Sequence, residues 1–142
     1  QKTIYALSQG LDVMLYICET LEERNNQQTE SILAHQLNKS LANIHNFSRI
    51  SVAYEPVWAI GTGVTAQPEQ AESAHQFIKR HLQTLGSQTP IPILYGGSVN
   101  PKNIANLIQQ PHVDGVLVGG ASLDPVSFEE IIKTCQKQNV LN

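Results

Sequence analysis

One carboxylate in this chain stands where a base would be useful. In AYEPVWAIGTG, residues 53–63, Glu55 closes an apolar run, and a hydrophobic loop ending in two glycines follows it. Ile50, Val52 and Tyr54 alternate with Ser51 and Ala53, so residues 49–54 read as a buried strand. Pro56 lacks a backbone N–H and is expected to stop the ladder past Glu55. Val57, Trp58, Ala59 and Ile60 are too apolar for a loop that stays in water, while Gly61 and Gly63 supply the freedom to close. A carboxylate under such a lid suits proton abstraction beside a carbonyl, a step typically worth about 10² to 10⁴ in rate. A structural ion pair is the plainer use of a strand-end glutamate; the apolar loop beside Glu55 favours catalysis.

Two further segments, YGGSV (95–99) and VGGAS (118–122), put glycine pairs directly after apolar runs. Glycine there lets backbone N–H groups approach an anion, so a phosphate could be held without Lys or Arg. Tight turns are the alternative use. Two such pairs, with Gly61 and Gly63 before them, favour the phosphate. Glu19, Glu22, Glu23 and Arg24 form a charged cluster read as a structural ion-pair network. None of the five histidines falls at a strand end, so His35, His45, His75, His81 and His112 are expected at solvated positions. No metal-ligand spacing is visible, and no cofactor is called for.

Four strand and helix pairs must position these groups. Strands are predicted at residues 12–17, 49–54, 91–95 and 115–118. The first helix, about 29–46, carries Ile32, Leu33, Leu37, Leu41 and Ile44 on one stripe. The second starts at Pro68, turns Ala71, Ala74, Phe77, Ile78, Leu82 and Leu85 inward, and stops at Gly86. Asn100-Pro101 and Asp124-Pro125 open the third and fourth, whose inward residues are Ile104, Leu107 and Ile108, then Phe128, Ile131 and Ile132. Such alternation means an α/β fold of parallel (β/α) units: an open doubly wound sheet, or half of an eight-stranded barrel, which typically takes about 250 residues. In either, Glu55, Gly96, Gly97, Ser98, Gly119 and Gly120 gather at the carboxyl ends of the strands.

The 142 residues, 41% hydrophobic and 15% charged, are ordinary for a globular domain. A formal charge of -3 and the absence of a basic cluster argue against nucleic acid or an acidic membrane as partner. Two distant cysteines, Cys18 and Cys135, are expected to be reduced and partly buried, which points to the cytoplasm. The chain opens without Met on KTIYAL followed by Gly10, the pattern of a helix end, so a longer parent protein is expected.

YEPVWAIGTG (54–63), YGGS (95–98) and DGVLVGGAS (114–122) together resemble the triosephosphate isomerase family, in order and over the whole chain. The resemblance implies residues 1–142 as the carboxyl-terminal half of a single (β/α)8 barrel domain, strands five to eight, with the amino-terminal half absent. It implies interconversion of dihydroxyacetone phosphate and glyceraldehyde 3-phosphate, without a cofactor, through an enediol. Glu55 becomes the proton-shuttling base and residues 56–66 the lid, with Pro56, Val57 and Trp58 leading it. Backbone N–H groups of Gly61, Ser98, Gly119 and Gly120 would hold the substrate phosphate. Tyr95 would latch the closed lid at Ala66, and Ser98 at Gly63. The family's asparagine, lysine and histidine belong to the absent half, so this chain by itself is expected to be inactive. When complete it is expected to be a cytoplasmic homodimer acting on a small phosphorylated triose. The bulkier Tyr16 and Cys18 depart from the family's cysteine and glycine, and Val64 from a common lid lysine. A non-catalytic half-barrel that binds phosphate or assembles with a partner is the alternative.

Overall fold

A computed structural model describes residues 1–59 and 65–139. Helix α1 (Lys2–Ser8) leads to strand β1 (Val13–Glu19), a short helix α2 (Leu21–Asn25) and helix α3 (Thr29–Leu41). Strand β2 (Ile50–Pro56) runs into a single 3-10 turn, Val57–Ala59, and helix α4 (Pro68–Thr84) follows. Strand β3 (Ile93–Tyr95), helix α5 (Ile104–Ile108), strand β4 (Gly115–Val116) and helix α6 (Pro125–Asn139) complete the order.

The four strands are parallel and lie in chain order, β1-β2-β3-β4. This order resolves the choice of architecture. Right-handed crossovers between consecutive neighbours all return on the same side, whereas a doubly wound sheet must reverse its order at a switch point. The chain therefore forms a singly wound α/β sheet, the arrangement of part of a (β/α)8 barrel. Side-chain alternation agrees. On β1, Ile17 and Glu19 are buried towards the helices, while Met14, Tyr16 and Cys18 are exposed on the opposite face.

Strand limits differ from expectation for local reasons. β3 begins at Ile93 because Pro92 has no N–H to give the ladder; the Pro92 carbonyl still accepts from Val52 N, at 2.9 Å. β2 runs two residues past the expected limit of 54, to Pro56, which pairs with Glu19 as the last residue of the ladder. β4 is shorter than expected, although Leu117 N still donates to the Tyr95 carbonyl at 2.9 Å.

Helix limits show the same local control. α3 stops at Leu41 because Asn43 takes a left-handed φ of 62°, and the expected helix to residue 46 ends there. α4 ends as expected, with Gly86 at φ 97°. At the third helix, Asn100 Oδ1 accepts from the amides of Lys102 and Asn103, forming a turn that delays α5 to Ile104. Asp124 caps α6 as expected, accepting from Ser127 N and Oγ at 3.0 and 2.6 Å. α2 was not expected, yet Thr20-Leu-Glu-Glu23 is a capping box: Glu23 N donates to Thr20 Oγ1 and Thr20 N to Glu23 Oε2.

The core lies between the sheet and α3, α4 and α5, with Leu33, Leu37, Ile78, Ile93 and Ile104 all fully buried. The fourth helix corrects an expectation. Ile131 is buried, but Phe128 and Ile132 are 37% and 41% exposed. α6 packs on α5 through the Ile131 side, and its flank finds no apolar cover among the described residues. α1 has no fully buried side chain, though Leu7 packs partly buried against the core. No helix among the described residues is long and apolar enough to cross a membrane.

Candidate active site

Glu55 is the penultimate residue of β2, paired in register with Cys18 and half-buried on the face opposite the helices. Burial raises its carboxyl above the ordinary value, making a more basic carboxylate. Its neighbour across the sheet is Gly96, whose amide donates to the Tyr54 carbonyl at 2.9 Å. A side chain at Gly96 would bring Cβ to 2.6 Å from Glu55 Cγ and 3.1 Å from Oε1. Gly97 is constrained in the same way by the Tyr95 hydroxyl and ring. Neither glycine has a left-handed φ. The first glycine pair thus yields space to two site side chains, which the tight-turn reading does not explain.

The second pair behaves differently. Gly119 and Gly120 are exposed, and a Cβ on either would meet no atom within 4 Å. Gly119 precedes a 3-10 turn, Gly120–Leu123, and its carbonyl accepts from Ser122 N and Oγ at 2.9 and 2.7 Å. Ser98 is half-buried, and its amide is occupied by the Ala59 carbonyl at 3.0 Å, with its own carbonyl held by Asn103 Nδ2. Gly61 and Gly63 lie outside the described residues, so of the segment expected to be a lid only the two ends are described. At one end Pro56 is buried and Val57 is exposed; at the other Ala66 is buried.

Behind Glu55 sits a polar network. Glu19 is 1% exposed; it accepts from Arg24 Nη1 at 2.5 Å, from Tyr54 Oη at 2.5 Å, and from Thr29 Oγ1. The Arg24 guanidinium also lies 5.5 Å from the centre of the Trp58 ring, a cation–π contact joining the network to the turn after β2. Burial and the Glu19 carboxylate together push the Tyr54 phenol far above its usual range. Of the expected ion-pair network, the Glu19–Arg24 pair is present and takes in Tyr54 and Thr29, whereas Glu23 caps α2 instead. Tyr95 is fully buried, and burial raises its phenol, opposed by the Ala66 backbone and Arg24. Among the described residues its hydroxyl has no hydrogen bond of normal geometry, although the Ala66 backbone is near.

His75 corrects a second expectation. It is fully buried, with Tyr54 edge-on at 5.8 Å and Tyr95 tilted at 6.4 Å between ring centres. Burial lowers its pKa to about 4. Ala71, His75, Ile78 and Leu82 share one helical stripe, and that periodicity was the signal for it. Both cysteines are free; Cys18 is exposed rather than partly buried, and burial, Glu23 and Glu55 each raise its thiol. Among the described residues, no three His, Cys, Asp or Glu side chains converge as a metal site.

The strand-end Glu55, the apolar turn after it and the glycine turn shaped around Glu55 and Tyr95 lie in a sequence that matches a known family. The triosephosphate isomerase family model matches residues 1–135. The chain belongs to the triosephosphate isomerase family. The triosephosphate isomerase of Bdellovibrio bacteriovorus is 52% identical over 130 residues, covering 92% of this chain and 54% of that protein. Those of Debaryomyces hansenii and Candida albicans are 50% and 49% identical, each match covering 94% of this chain and 54% and 55% of theirs. The chain thus spans about half the length of the curated triosephosphate isomerases it matches.

Proposed function

We propose that the complete protein is a cofactor-free triosephosphate isomerase, in which residues 1–142 are the carboxyl-terminal half of one barrel domain, strands five to eight. The observation that carries the reading is Glu55, a half-buried and more basic carboxylate directly ahead of the lid, against a turn with no room for a side chain. The Glu55 carboxylate takes a proton from the carbon beside the carbonyl of dihydroxyacetone phosphate. The C–H electron pair becomes the C=C while the carbonyl π pair moves onto its oxygen, which takes up a proton to complete the enediol. The other hydroxyl then gives up its proton and re-forms a carbonyl as Glu55 returns its proton to the neighbouring carbon, giving glyceraldehyde 3-phosphate.

Phosphate is held by backbone N–H groups of Gly61, Ser98, Gly119 and Gly120. The open space around Gly119 and Gly120 supports this role. The Ser98 amide must first release the Ala59 carbonyl, so binding and movement of the Val57–Ala59 turn are linked. Closure brings Tyr95 Oη to the Ala66 amide and Ser98 to Gly63, satisfying a hydroxyl that is buried without a partner. The amino-terminal half supplies the remaining substrate contacts, and the completed protein is a cytoplasmic homodimer.

The test is to mix the chain with the amino-terminal half of a triosephosphate isomerase and assay isomerisation. Activity is expected from the mixture and not from either part. Substantial turnover by the 142 residues alone, or complementation only by a carboxyl-terminal half, sinks the assignment. Phosphate binding by the mixture without turnover would favour a non-catalytic half-barrel.

A further inference from the structure

The reverse side of the site strands holds a group that the proposed reaction leaves unused. Tyr54 and Tyr95 are partners in the β2–β3 register, and both rings meet His75 of α4. The next residue along each segment, Glu55 on β2 and Gly96 just past β3, lies towards the other face, where a Cβ on Gly96 would fall 2.6 Å from Glu55 Cγ. Whatever sets the separation of the tyrosines therefore sets the separation of the base and the glycine turn. His75 is anchored for this. Its Nδ1 lies 3.2 Å from the His112 carbonyl and so carries the proton, which leaves Nε2 as a buried lone pair with no hydrogen-bond partner among the described residues. His112 is itself clamped by Glu72, which accepts from its amide at 2.9 Å and also contacts its Nδ1.

We propose that His75 is a positioning residue for the isomerase site, an imidazole wedged between Tyr54 and Tyr95 that fixes the spacing of Glu55 and the Gly96–Gly97 turn. The proposal rests on the isomerase reading of Glu55. Protonation would place an N–H at Nε2, where no acceptor waits among the described residues. The titratable groups around the ring are Tyr54 on β2, Tyr95 on β3, Asp114 and His112 ahead of β4, and Glu72 and Lys79 on α4 itself. Burial outweighs the carboxylates among them and keeps the ring neutral down to about pH 4.

Two substitutions separate positioning from filling. His75→Asn keeps an N–H for the His112 carbonyl but removes the ring, whereas His75→Phe keeps the ring without the N–H. In the barrel completed with its amino-terminal half, His75→Asn should lower kcat about tenfold or more with KM little changed, since small misplacements of a base are costly. His75→Phe should lose stability yet restore kcat to within about threefold of the parent. If kcat is unchanged in His75→Asn while its Tm falls, the residue only fills space and the proposal fails. A second measurement needs no turnover: carbon-13 shifts of the Glu55 carboxyl and the Tyr95 ring in the 142-residue chain. Both should move in His75→Asn and stay near the parent in His75→Phe; a Glu55 shift unmoved in the first, or displaced in the second, overturns the proposal. If His75→Asn does not fold, His75→Phe decides alone. A parent barrel without turnover counts against the isomerase reading only, and the carbon-13 shifts still decide His75.

Discussion

The middle of the sheet and its two flanks are built to different degrees of closure. Around β2 and β3, Val52, Tyr54, Ile93, Tyr95 and His75 are all buried to within about 1%. At the flanks, Tyr16 on β1 is 53% exposed, Tyr5 on α1 69%, and Ile132 on α6 41%. Only the helix side of the sheet is packed throughout. A parallel sheet is ordinarily covered on both faces, so exposed Met14 and Tyr16 mark the surface that another layer must cover. Glu55, the proposed base, and the Gly96–Gly97 turn adjoin the closed middle, while the exposed apolar side chains lie at the margins.

The largest effect belongs to the centre. In the completed barrel, Glu55→Gln should reduce turnover by about 10² to 10⁴ while a phosphate titration and the melting curve change little. Loss of phosphate binding in proportion to turnover would mean that Glu55 is structural.

Adjacent isoleucines on α6 test the boundary between the two regions. Ile131→Ala, at a 2% exposed position, should cost about 3 kcal/mol in urea unfolding, and Ile132→Ala less than about 1 kcal/mol. Equal costs in the isolated chain would erase the distinction. In the completed barrel, a rise only in the cost of Ile132→Ala would show that the new half covers that flank.

Acid should weaken the centre first. Folded His75 resists protonation until about pH 4, whereas the unfolded chain binds that proton near pH 6.5. Stability is therefore fully present above about pH 6.5 and falls as pH drops towards 4, by at most about 3 kcal/mol at roughly 1.4 kcal/mol per pH unit. Unfolding curves between pH 7 and 4 should show less of this slope in His75→Phe. An unchanged slope would place the acid sensitivity elsewhere.

A smaller effect than that of Ile131→Ala should come from Tyr54→Phe. Glu19 keeps Arg24 and Thr29 but loses one donor, costing about 1 to 2 kcal/mol by thermal unfolding. No change would mean that Arg24 and Thr29 suffice.

Much of the site was legible because its residue types are demanding. A lone carboxylate ahead of a proline and an apolar loop, and paired glycines after strands, have few structural uses. Helix stripes were equally readable for α3 and α4, where a packed layer lies on the apolar side. The stripe of α6 misled, since periodicity shows which face is apolar and not whether anything covers it. His75 was missed because its residue type outweighed its place on a buried stripe. The α2 capping box is equally local, Thr20 with Glu23 three residues on, but it lies within a charged cluster that reads first as ion pairs.

By itself, the sequence determined the alternation of elements, the strand-end position of Glu55 and the turn residues around it, because these depend on local periodicity and backbone chemistry. Strand order was decided by the tertiary structure, which excluded the doubly wound alternative through a succession that never reverses. The tertiary structure also decided that Gly96 and Gly97 make room for Glu55 and Tyr95, and that His75 lies behind them both. Those are contacts between segments tens of residues apart, set by packing across the sheet, and no local pattern encodes them.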